Sequence, residues 1–195
     1  MRFIIHELPY ERPLLAGRLR YERDGQPTGA IEFWRLTDAV DGYRFLRVDL
    51  DARDAASGRS WLYHATLDAA GVVEQVKYRF WGDGLNVSGT VVRQGDEWIA
   101  ARDVNDTTYE DVARGVVFWF PSGAGLALLS RHAGDLPGVT LLAETTEPAR
   151  AHALVELPVA IEWGEAQPLE LGDESVPVRP LAVTWPGSRR VGWLD

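Results

Sequence analysis

The chain has 195 residues, a formal net charge of −9 and no cysteine. That length suits one all-β domain. The missing thiols exclude disulfides and zinc–sulfur sites, and the acidic balance, with Lys77 as the single lysine, argues against nucleic acid or an anionic membrane surface as partner.

The apolar run Phe3-Ile4-Ile5 is too short for a signal peptide. No stretch reaches the roughly 18 apolar residues of a transmembrane helix. A cytoplasmic protein with no integral membrane segment is the resulting expectation.

Period-two alternation broken by turn residues dominates the first half. Leu15, Gly17, Leu19 and Tyr21 alternate with Arg18, Arg20 and Glu22, and Asp24-Gly25 turns the chain. Residues 29–36 form a second strand, Asp41-Gly42 a turn and residues 43–50 a third strand. After a polar connection over 51–58, a fourth strand spans 61–67, and Asp68 to Gly71 is a helical-type turn. In the fifth strand Val72, Val76, Tyr78 and Phe80 point one way, and Gln75, Lys77 and Arg79 the other. Gly82-Asp83-Gly84 leads into the sixth, where Leu85, Val87 and Val91 oppose Asn86, Ser88 and Thr90. Gln94-Gly95-Asp96 leads into the seventh, over 97–102. Turns this tight force antiparallel pairing.

Residues 103–111 read as a polar loop and 116–120 as a short apolar strand. Pro121-Ser122 predicts a helix from Ser122 to about His132, closed by Gly134. Further strands are predicted over 139–143, 153–161, 176–185 and 190–194, with 186–188 as the last hairpin tip. Pro158, Pro177 and Pro180 indicate edges or bulges. With no internal repeat and no low-complexity linker, residues 1–195 read as a single antiparallel β domain.

No catalytic constellation emerges. His6, His64, His132 and His152 lack the spacing of a local metal pair, and the acidic clusters at Asp49 to Asp54 and Asp103 to Asp106 lack the glycine and distal glutamate of a calcium loop. No metal site or cofactor is expected. Ser122-Gly123-Ala124-Gly125 could receive an anion on a helix N-terminus, but a helix start with close packing accounts for it equally.

The aromatic residues carry the functional expectation. Trp34, Tyr63, Tyr78, Phe80 and Trp98 lie on successive strands, as do Tyr43, Phe45, Trp61 and Trp81. They suit a hydrophobic core, and they also suit the wall of a groove for an apolar ligand. In the second case Arg35 and Arg79, with Arg47 and Arg102, are candidates to grip an acidic head group. Their other reading is a solvated outer face.

The run of tight-turned strands from Gly17 to Arg102, the single helix near Ser122 to His132 and the closing hairpin from Trp185 to Asp195 resemble the lipoprotein-carrier half-barrels. The ending is similar to that of uncharacterised bacterial glycolipid-binding proteins. The resemblance covers most of the chain and is one of architecture. It implies an open antiparallel half-barrel around one short packed helix, with an apolar or lipid-like small molecule in its concave face. A non-enzymatic binding protein is therefore the leading expectation. An enzyme of unknown reaction on a β-barrel and a protein-interaction domain are the alternatives.

Overall fold

The computed structural model describes residues 7–55, 58–132, 134–171 and 174–194. Strands take up 67% of the chain and helix 6%, and among the described residues the sheets form no closed barrel. The expected open, mainly-β architecture with one helix is the observed one. No described helix is long and apolar enough to cross a membrane.

Eight strands form a continuous meander. They are β1 (Arg12–Arg23), β2 (Gln26–Asp38), β3 (Arg44–Ala52), β4 (Arg59–Leu67), β5 (Val73–Gly82), β6 (Leu85–Gln94), β7 (Glu97–Val104) and β8 (Thr107–Ala113). Each pairs antiparallel with its sequence neighbours, so β1 and β8 are the sheet's edges. Asp24-Gly25, Asp83-Gly84 and Asn105-Asp106 all have positive φ at both positions. Two-residue loops of that kind match the twist of the strands they join.

The fifth and sixth strands pair as the alternation requires, Phe80 opposite Val87 and Gly82 opposite Leu85. Val76, Tyr78 and Phe80 are buried, while Lys77 and Arg79 are exposed. Val72 departs from its expected place. A register shift at Thr66/Leu67 gives the inward position to Val73 and leaves Val72 outside. The stretch 103–111 is not a loop. It holds the end of β7, a turn and most of β8, whose polar and exposed side chains hide the alternation.

The second sheet contains β9 (Val117–Trp119), β10 (Gly134–Leu142), β11 (Leu154–Trp163), β12 (Gln167–Leu171), β13 (Glu174–Trp185) and β14 (Ser188–Leu194). β9 pairs parallel with β10, the one parallel pair among the described residues. β11 and β12 pair with successive stretches of β13, and β14 also pairs with β13. Pro158 sits in a bulge against β10, as expected. Pro180 instead lies where β13 has partners on both sides, and its carbonyl accepts from the Gly164 N–H.

The helix α1 (Gly123–Leu129) is shorter than predicted. Ser122 caps it, its side chain accepting from the Gly125 N–H, and it ends at Ser130. The unit β9–α1 joins two cores by alternation. Phe118, Phe120 and Ala124 pack with the inner face of the meander. Trp119, Leu126 and Leu129 pack with the second sheet.

Gly89 shows how closely the first core is filled. A Cβ there would lie 2.5 Å from the Tyr78 ring and its hydroxyl. Tyr78 is itself held by a hydrogen bond to the His152 carbonyl, so it cannot swing aside. Gly89→Ala is expected to cost about 2–3 kcal/mol, as overpacking does, read as a lowered urea midpoint at unchanged slope.

Candidate functional site

Under the cover of β9 and α1, the inner face of β3 to β7 is sealed. Tyr63 is 0% exposed and stacks on Phe120 with ring centroids 4.8 Å apart. Phe80 lies 5.1 Å from Trp61 and 4.6 Å from His152. Trp98 donates its indole N–H to the Gly115 carbonyl at 3.0 Å and packs on Phe118. Tyr63, Tyr78, Phe80 and Trp98 are thus walls of the core, and protein side chains fill the space they face.

Arg35 and Arg79 stand on the other side of the sheet. Each follows an inward aromatic, Trp34 or Tyr78, and successive side chains on a strand point to opposite faces. Arg35 pairs with Glu7 at 2.9 Å. Arg47 shares that outer face. Its guanidinium donates to both oxygens of Glu11, at 2.6 and 2.7 Å, and Thr37 donates to the same carboxylate. Burial raises the Glu11 pKa, but the hydrogen bonds from Arg47, Thr37 and the Leu8 N–H outweigh it and hold the pKa at about 2. This buried pair ties the segment before β1 across β2 and β3.

Arg102 points inward. It pairs with Asp111 at 2.7 Å and donates to the carbonyls of Ala149 and Ala151. Its guanidinium also lies 4.5 Å from the Tyr109 ring. It anchors the segment before β11, where buried His152 has φ of +55°. Burial, and then the positive charges of Arg102 and Arg59, depress the His152 pKa to about 4.

The helix start is where an anion could have docked, and the protein supplies that anion itself. Buried Glu32 accepts from the Ala124 N–H through one oxygen and from the Gly123 N–H through the other, both at 2.8 Å. Tyr21 donates to Glu32 at 2.5 Å and accepts from the Gly123 N–H. Burial, with the Glu32 charge next, raises the Tyr21 pKa above its ordinary value. Glu32 and Tyr21 lock the edge of the meander onto α1.

Leu19 still packs on Gly123 at the start of α1, and beyond it the cover ends. The inner face of β1 and β2 carries Leu15 opposite Leu36, Gly17 opposite Trp34 and Leu19 opposite Glu32. Leu15 is 60% exposed and Leu19 38%. Trp34 is half-buried and lies flat over Gly17, where a Cβ would come within 2.6 Å of its ring. The strip from Leu15 to the Tyr21 clamp is about 20 Å long at the rise of a β-strand. Of the aromatic candidates named from sequence, Trp34 alone borders this open strip. Leu15, Leu19 and Leu36, which line the open strip, were not among the candidates named from sequence. Their shared face with Gly17 and Tyr21 was the available signal, but alternation does not say where a covering layer stops.

Among the described residues no group of three His, Asp or Glu side chains could hold a metal ion. Comparisons with protein-family models, with curated proteins and with solved structures gave no match for the chain.

Proposed function

We propose that the protein binds an apolar or lipid-like single-chain molecule along the inner face of β1 and β2. The observation that carries this reading is the pair of exposed inward leucines, Leu15 and Leu19, on a sheet whose inner face is buried from β3 to β7. Both stand beside Trp34, Leu36 and the ring of Tyr21, so an acyl chain laid there would exchange water for apolar neighbours along its length. Each methylene so covered is worth about 0.8 kcal/mol before the costs of association. The ligand would lie in the open part of the concave face, next to the clamp, and would leave the sealed aromatic core intact.

Dodecanoate below its critical micelle concentration is the probe. It is expected to change tryptophan fluorescence and to raise the melting temperature, because a ligand that prefers the native state stabilises it. The double variant Leu15→Asp/Leu19→Asp is expected to weaken binding at least about tenfold, since two charges would then face the chain. Leu15 is largely exposed, but Leu19 packs on Gly123 at the start of α1, so the variant's own melting temperature is measured beside its binding and Leu15→Asp alone serves as the variant that should keep its stability. A wild-type melting temperature that does not move at saturating dodecanoate, or a double variant that binds as the wild type does, would overturn the proposal.

A further inference from the structure

We infer that the free edge of β1 docks an extended acidic segment of a partner protein by strand addition. The inference uses the backbone edge and the outer-face charges of β1, and shares only the inner-face residues Leu15 and Leu19 with the acyl-chain reading. Among the described residues β1 pairs with β2 alone, in unbroken register from Leu15 to Arg20 between two irregularities. Its other side therefore presents a row of unpaired backbone donors and acceptors, which is a template for another strand.

The charge on this edge is opposite to that of the molecule. The chain carries −9 overall, yet β1 holds Arg12, Arg18, Arg20 and Arg23 against one acid, Glu22. Arg20 and Arg23 make no ion pair among the described residues, and Arg18 lies over the Phe33 ring at 5.5 Å. Arg12 reaches only to 3.9 Å from Asp38.

The same charges decide the occupant. A second copy pairing β1 with β1 would set one basic strand against another, and like charges placed opposite each other destabilise a ladder. The far edge, β8, is different in kind, with Glu110 and Asp111 and no basic residue. A partner strand matching β1 would carry acidic side chains on the outer face, beside Arg18 and Arg20. On the inner face, beside Leu15 and Leu19, it would carry apolar ones. It would therefore alternate acidic and apolar residues.

The test is fluorescence anisotropy with a labelled ten-residue peptide of alternating Glu and Val. The wild-type protein is expected to bind it at least about tenfold tighter than the Lys–Val counterpart. The variant Arg18→Glu/Arg20→Glu should reverse that preference, and both sites are exposed, so the fold should survive. A Glu–Val peptide methylated on alternate backbone nitrogens should bind at least about tenfold more weakly, because it cannot complete the ladder. Equal binding of the methylated peptide would mean charge attraction without strand addition and would overturn the inference. So would peptide binding that ignores the Arg18→Glu/Arg20→Glu change. A wild-type dimer in solution that this variant dissociates would make a second copy the occupant and would likewise overturn it.

Discussion

Glu32→Ala is expected to cost about 3–5 kcal/mol of folding stability, the range for removing one partner from a buried charged network. The carboxylate is fully buried and accepts from Tyr21 and from the Gly123 and Ala124 N–H groups. Removing it leaves the Ala124 N–H in the interior without an acceptor and the Gly123 N–H with Tyr21 alone, and an unsatisfied buried group costs about 1–3 kcal/mol. It also uncouples β2 from α1, the element that caps the meander's core. Tyr21→Phe should cost less, about 1 kcal/mol, because Glu32 keeps both helix donors. In urea unfolding, the double variant should cost clearly less than the sum of the two single changes, since the residues act as one unit. Additive losses would show that the clamp is not a unit.

Acid is expected to destabilise the protein in two successive windows. His64 and His152 are held near pKa 4, against 6.5 in an unfolded chain. Burial is the main cause for both. Arg47 and Lys77 add to it at His64, partly opposed by Glu11. As pH falls through 6.5 the unfolded chain takes up protons that the folded protein refuses, so stability present above 6.5 is lost down to about 4. For deeply buried His152 the loss is on the order of 3 kcal/mol. Glu11 follows. Its folded pKa of about 2 lies below the ordinary 4.5, so its contribution is present above 4.5 and lost as pH falls to about 2. Urea midpoints measured from pH 8 to pH 2 should show both slopes. His152→Gln should flatten the upper one and Glu11→Gln the lower. A stability that stays level between pH 7 and pH 4.5 would contradict the buried, neutral histidines.

The meander was legible because its turns are written in residues that accept positive φ, and because β5 and β6 alternate strictly. β8 escaped notice because an exposed edge strand needs no apolar face, and Thr107-Thr108-Tyr109-Glu110 reads as polar chain. The short helix was placed correctly at Ser122, but its length was set by packing between two cores. The candidate site divided along a line that alternation itself implies. Arg35 cannot share a face with Trp34, nor Arg79 with Tyr78, once each pair lies on one strand. Which half of the inner face would be covered was not legible, because β9 and α1 arrive from more than ninety residues downstream of β1. Glu32 offered one overlooked hint. It occupies an inward position between Ala30 and Trp34, where a carboxylate has to find buried partners.

The central claim is that an apolar chain lies on the open strip of β1 and β2, and the indole N–H resonances of the eight tryptophans test it most directly. The Trp34 signal can be assigned by its loss in Trp34→Phe, and the Trp98 signal in the same way. Titrating dodecanoate into labelled protein should shift the Trp34 resonance progressively. Trp98, sealed in the core and hydrogen-bonded to Gly115, should stay in place. A shift at Trp98 with Trp34 unmoved would put the ligand inside the core and contradict the account.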